Sequence, residues 1–306
     1  MKQGIGSAQV KAAARPGVGA LRGRAATGLA AGRLARRLAR AASYSLLASG
    51  GVAMVLPVVW MISASLKEPA RIFSVPVQWI PDPVRAANYL EAMTLAPFGR
   101  YFFNSLFVGG SITFLTLLFC TLAGFGFAKY NFWGRNILFI AILSTMMIPF
   151  QVIMVPLYII VRELGWLNNY SGLIIPGAIS AFGVFMMRQF ILTIPDELLD
   201  AARIDGASEL GIFWWVVLPL CKAPMAALAI VTFLGSWNNL LWPLIVVSRV
   251  ELRTVALGLA EFQTVYGTAY HHLMAAATVA TLPILILFAF LQRHFVRGIV
   301  LTGMKG

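Results

Sequence analysis

The sequence predicts an all-α polytopic membrane protein with six transmembrane helices, and three observations carry that prediction. Hydrophobic residues make up 59% of the chain and charged residues only 11%, for a mean hydropathy of +0.82. A soluble domain carries roughly 25% charged residues, so this chain lacks the polar surface to cover itself in water, and its solvent must be lipid. Six apolar segments fall at approximately 42–65, 102–127, 137–161, 170–189, 223–247 and 272–292. Each reaches the ~20 residues a helix needs to cross about 30 Å of hydrocarbon. Lysines and arginines, finally, gather in alternate connections.

Residues 1–41 hold nine Lys/Arg and no acid. Such a stretch buries no core and is expected to be a disordered or fitfully helical cytoplasmic arm. Arg36-Arg37 with Ser63-Ala64-Ser65 matches a twin-arginine export signal poorly, and five more apolar segments follow, so removal is not expected. Nor is nucleic acid an expected partner, because basic tails beside a membrane usually set orientation or touch anionic lipid. An early start codon is the other reading of the arm.

The second segment is the clearest, with no charge from Tyr101 to Ala128. The fourth is short and broken by Gly172, Pro176, Gly177 and Gly183, breaks that are tolerated where neighbouring helices satisfy the freed backbone groups. The connection 67–100 has Pro69, Pro76, Pro81, Pro83 and Pro97 and is expected to be structured without regular elements. Counting Lys and Arg puts 17 on the side of the arm and 7 on the other, so by the positive-inside rule both termini are cytoplasmic. Cys120 and Cys221 lie in or beside apolar segments and read as small apolar side chains rather than a disulfide or zinc pattern. His271 and His272 are adjacent; neighbours on a helix face different ways, so no shared metal site is expected there.

Between the fourth and fifth segments lies an acidic cytoplasmic loop, 191–222. Its polar stretch 193–210 carries five acids and one Arg. Thr193 is expected to cap a first helix with Asp196 as its capping-box partner, Gly206 to break it, and Ser208 to cap a second. Two functions fit: a solvated amphipathic helix, or a rigid knob shaped for a cytosolic partner.

The run Asp200-Ala201-Ala202-Arg203-Ile204-Asp205-Gly206-Ala207-Ser208 and the later Val216-x-Leu218-Pro219 resemble the EAA signature of binding-protein-dependent ABC importer permeases. Asp200 stands where that family has Glu, and Val216 where it has Ile. Val155-Pro156-Leu157-Tyr158, Leu164-Gly165-Trp166, Asn169-Tyr170 and Trp237-Asn238-Asn239-x-x-Trp242-Pro243-Leu244 are similar to the carbohydrate branch. The ending Gln292-Arg293-x-Phe295-Val296-Arg297-Gly298 with Gly303-Met304-Lys305-Gly306 resembles the second, maltose-type permease subunit.

That resemblance implies a type I ABC importer permease (MetI-like) fold over 42–293, with a cytoplasmic tail at 294–306. It implies a second permease subunit, two ATP-binding subunits and an extracytoplasmic sugar-binding protein as partners, in a bacterial inner membrane. Glu197 and residues 200–203 and 205–208 would form the coupling site. The chain has no G-x-x-x-x-G-K-[ST], so ATP and Mg would sit on the partner subunits and this chain would bind no cofactor and be no enzyme. Trp237, Asn238, Asn239 and Trp242 are candidates for the sugar pathway, offering amides and stacking faces, with interhelical bonding as the competing role. Asn104, Ser105 and Gln151 are weaker candidates. Against these stand a secondary transporter of another fold, which would want charges within its spans, and a membrane enzyme, which would want a cluster such as H-E-x-x-H. Neither feature is visible.

Overall fold

The computed structural model describes the backbone of residues 18–262 and 269–303, and side chains over 38–260, 262 and 269–290. Every regular element among them is helical. In order they are α1 (Val18–Ser65), α2 (Ala87–Leu95), α3 (Phe98–Lys129), α4 (Arg135–Thr145), α5 (Phe150–Glu163), α6 (Tyr170–Ile174), α7 (Ala181–Ile191), α8 (Asp196–Ile204), α9 (Glu209–Ile212), α10 (Leu218–Leu220), α11 (Lys222–Trp237), α12 (Leu241–Val246), α13 (Val255–Glu261) and α14 (Tyr270–Gly303). The chain divides into two compact units, 1–60 and 61–306.

The first unit is the body of α1. Helix begins at Val18, within the arm expected to be disordered or fitfully helical; 18–41 is rich in Ala, Leu and Arg, all good helix formers. Residues 1–17 lie outside the described ones. From Leu38 to Ser65 the helix is long and apolar enough to cross a membrane. Its side chains from 38 to 59 are exposed, as lipid-facing groups are.

In the second unit α3 is the organising element. It packs against α7 and α11, and α11 in turn meets α14, which packs on α2. The α3–α7 seam depends on missing side chains. A Cβ added at Gly183 would lie 2.8 Å from Cys120 Sγ, and one at Gly124 would lie 2.8 Å from Met187 Cβ. Between helices in lipid there is no hydrophobic drive to associate, so such close backbone approach supplies the attraction by dispersion. Cys120 and Cys221 are buried free thiols, as expected of small apolar packing groups.

α1, α3 and α14 each hold a single span, while the other three candidates are bent pairs. α4 and α5 meet at 101°, Tyr170–Gly177 and Ala181–Ile191 at 42°, and Glu209–Leu220 and Lys222–Trp237 at 78°. Counting each bent pair once gives up to six spans. The third segment is thus two arms, because Pro149 removes a backbone donor and pushes Ile148 out of helical geometry. The fifth ends at Trp237 rather than 247, with α12 a separate short piece. The last runs past 292 to Gly303.

The connection 67–100 is more regular than expected. After Pro83 the chain is free of proline until Pro97, and α2 forms there. Buried Asn88 fixes it, donating from Nδ2 to the carbonyls of Ser65 and Lys67 at 2.8 Å each. Tyr89 and Ser65 share a 2.7 Å hydroxyl bond.

Candidate functional site

The acidic loop is mounted on the carboxyl end of α3. α8 is amphipathic: Leu199 is buried at 1% exposure and Ala202 is partly buried behind it, while Glu197, Asp200, Ala201, Arg203, Ile204 and Asp205 are exposed. Leu199 shares a core with Phe125 and Ala128 of α3, with Met187 and Ile191 of α7, and with Ile212, Phe213 and Val217 in the later part of the loop. Burying a leucine contributes about 2 kcal/mol, so the knob is held by the same apolar core as the spans above it.

Polar bonds tie the loop to the same place. Lys129, whose side chain is 6% exposed, pairs with Asp196 at 2.6 Å and donates to the Ile194 carbonyl at 2.5 Å. Tyr130 donates its hydroxyl to Glu209. Arg203 grips Glu209 with Nε at 2.9 Å and Nη2 at 3.3 Å, and reaches Asp200 with Nη1 at 2.8 Å. Burial first, and the Glu209 carboxylate second, push the Tyr130 hydroxyl up to about 12, so it keeps its proton at any working pH. The Arg203 guanidinium is held above its ordinary value by its bonds to Glu209 and then Asp200.

The turn itself forms as the residues dictate. Gly206 takes φ +83°, a left-handed conformation that costs other residues. Ser208 then caps α9, accepting from Gly211 N at 3.2 Å. Thr193 does not cap α8, contrary to expectation: its hydroxyl donates to the Phe190 carbonyl at 2.7 Å, and Pro195 occupies the cap position with no side-chain bond. Short hydroxyl side chains often bond back to a nearby carbonyl in this way.

Residues 120–301 match the family described as "Binding-protein-dependent transport system inner membrane component". The chain belongs to that family. It is 39% identical over 255 residues to the arabinooligosaccharides transport system permease protein of Halalkalibacterium halodurans, covering 82% of this chain and 91% of the relative. It is 35% identical to the sn-glycerol-3-phosphate transport system permease protein of Yersinia enterocolitica, over 82% and 92%. The lactose transport system permease protein of Rhizobium radiobacter is 32% identical over 87% and 97%. In fold the chain is similar to a bacterial ABC transporter involved in the import of the acidic polysaccharide alginate, with TM-score 0.76 and 22% identity over 85% of this chain and 98% of that one.

In this inner membrane component the four candidate pathway residues do not act alike. Trp237 is buried at 3% exposure and donates from Nε1 to the Ala280 carbonyl at 3.2 Å, joining α11 to α14. Trp242 is buried at 4% and donates to the Gly172 carbonyl at 2.8 Å. Asn239 accepts from Trp242 N at 3.3 Å. The two tryptophans thus join helices, Asn239 bonds locally to the first turn of α12, and Asn238 alone of the four is exposed. Asn104 is fully spent on the carbonyls of Glu251 and Arg253 at 2.8 Å and on the Tyr170 hydroxyl at 2.7 Å. Ser105 accepts from Val255 N at 2.8 Å, whereas Gln151 is exposed.

The opposite end of α3 carries its own polar cluster. An open cleft there is lined by Arg100, Asn168, Asn169, Tyr170, Arg249, Glu251 and Leu252. Nearby, His271 and His272 depart from expectation: their ring centroids are 3.9 Å apart. Both sit in the first turn of α14, where no preceding turn restricts the rotamers that bring neighbouring rings together. One ligand atom from each and one from Glu91 all lie within 4.8 Å of one another.

Sequence reasoning missed Lys129 and Tyr130. A basic residue followed by tyrosine at the end of a charge-free span, facing an acidic loop later in the chain, was the available indication.

Proposed function

We propose that this chain is the transmembrane permease subunit of an ATP-driven sugar importer, forming the translocation pathway with a second permease subunit. Loop 191–222 receives the movement of two cytosolic ATP-binding subunits, and an extracytoplasmic binding protein delivers the sugar at the other end. The observation that carries this reading is the exposed face of α8 on a core-anchored base. An amphipathic surface helix would also bury Leu199, but it has no need of Ile204 at 86% exposure on the same outward face as Asp200 and Asp205.

The substrate class follows from the relatives. Permeases named for arabinooligosaccharides and lactose are among them, and a further structural neighbour is an alginate transporter in complex with a pentasaccharide-bound periplasmic protein. A secondary transporter of another fold draws no support from a family of binding-protein-dependent systems.

The mechanism is mechanical. Closure of two ATP-binding subunits presses on α8, and the shared core passes that displacement to α3 and α7 as rigid bodies. ATP and Mg are held by the partners, and this chain performs no chemistry. Both termini face the cytoplasm of a bacterial inner membrane, the orientation that the Lys and Arg bias favours. Reconstitution of the whole transporter with its binding protein tests the reading: sugar uptake should require ATP inside the same compartment as the loop. Uptake driven by an ion gradient without ATP would overturn it.

A further inference from the structure

The Glu91–His271–His272 cluster lies where α2 packs on α14, at the amino end of α3 and away from the acidic loop. We propose that it binds a divalent transition-metal ion, of the kind that prefers imidazole, such as Zn²⁺.

Three facts converge. A ring nitrogen of each histidine and a Glu91 carboxylate oxygen lie within 4.8 Å of one another. A tetrahedral zinc with bonds near 2.1 Å sets its ligands about 3.4 Å apart, so small side-chain rotations close the set. His271 is buried at 8% exposure, and its Nδ1 has no hydrogen-bond partner. A buried imidazole nitrogen without a partner is costly unless something fills its lone pair or takes its proton. The remaining groups are already oriented. His272 Nε2 and Glu91 Oε2 stand 2.8 Å apart, and Arg85 Nη2 holds the other Glu91 oxygen at 2.8 Å, as outer groups orient ligating carboxylates.

The surroundings also select the ion. Arg85 and the positive end of α14 disfavour a cation held by charge alone. Calcium and magnesium, which want several oxygen ligands, are therefore poor occupants, and a metal that bonds imidazole nitrogen is favoured. Two histidines and one carboxylate leave a fourth position for water. The bound ion ties α2 to α14.

The test uses the full chain in its assembled transporter, carrying no polyhistidine tag, titrated with Zn²⁺ alone by equilibrium dialysis. One equivalent per chain should bind and raise the melting temperature. His271→Gln, His272→Gln and Glu91→Gln should each weaken binding at least about tenfold, while His294→Gln leaves it unchanged. Absence of stoichiometric binding to the natural protein, or unchanged affinity in the three variants, overturns the proposal. Should those variants not fold, as judged by melting in chelator, the natural protein loaded with Cu²⁺ decides. Its electron paramagnetic resonance spectrum should show coupling to two imidazole nitrogens, and fewer would contradict the site.

Discussion

Nothing stands within 4 Å of where a Cβ would be at Gly206, so the residue is there for its φ of +83° and not for its small size. Alanine at that position meets strain of about 1–2 kcal/mol, whereas proline is locked near −65° and cannot close the turn. Gly206→Ala should lower the melting temperature slightly and retain uptake. Gly206→Pro should insert normally yet lose ATP-coupled uptake in reconstituted vesicles. Ala201 and Ala202 separate two roles that their adjacency in sequence conceals. Ala202 is partly buried and packs on the core beneath α8, so Ala202→Leu overpacks it, costing about 1–3 kcal/mol in thermal stability. Ala201 points outward. Ala201→Leu should leave melting unchanged while uptake and its share of ATP hydrolysis fall. The reverse pattern would move the docking face to the other side of the helix. The acid of the signature is partly engaged at home, since Asp200 already pairs with Arg203, and Glu197 and Asp205 are the exposed acids left to meet a partner.

At the scale of elements, the knob of α8 and α9 is clamped by exposed pairs, and exposed ion pairs contribute only about 0.2–1 kcal/mol each. Glu209→Gln weakens the grip of Arg203 and the bond from Tyr130 together. Overall melting should hardly change, but amide exchange over 196–210 should speed up while that of α3 does not. Unchanged exchange would mean that the apolar core alone fixes the loop. The α3–α7 seam behaves oppositely. Gly124→Val drives a Cβ to 2.8 Å from Met187 Cβ and 2.9 Å from the Arg188 backbone nitrogen, so the helices must part, and melting in detergent should drop by about 1–3 kcal/mol. These elements also show what a sequence can and cannot disclose. α3 was legible almost to its ends because no charge interrupts it from Tyr101 to Ala128. The two arms of 137–161 were not, although Pro149 marked the bend, because averaged hydropathy registers composition and not direction. The fifth segment was overextended for the same reason: Trp237, Asn238 and Asn239 read as continuing helix, yet the chain turns there and Asn239 lies between the two helices, bonding to the first turn of α12. Glycine and serine at 206 and 208 were readable because their effect is local. Lys129 and Tyr130 were not, since their meaning depends on a loop about 65 residues away being folded back onto them.

For the whole molecule, the two ends of α3 present different chemistry. Lys129, Tyr130 and the acidic loop stand at one end, and Arg100, Tyr170 and the carbonyl of Glu251 at the other. A helix of 32 residues rises about 48 Å, enough to place these clusters on opposite sides of a bilayer. In the proposed orientation the side of the loop, with its excess of Lys and Arg, is the cytoplasmic one, and the packed core along α3 and α7 would couple the two ends. The most direct test puts a photo-crosslinking side chain at Ile204 of the assembled transporter in membranes. The account predicts an adduct with the ATP-binding subunit whose yield changes between nucleotide-free and ATP-bound states. No adduct with that subunit in either state, or reaction of position 204 with an impermeant reagent added from outside the cell, would contradict it.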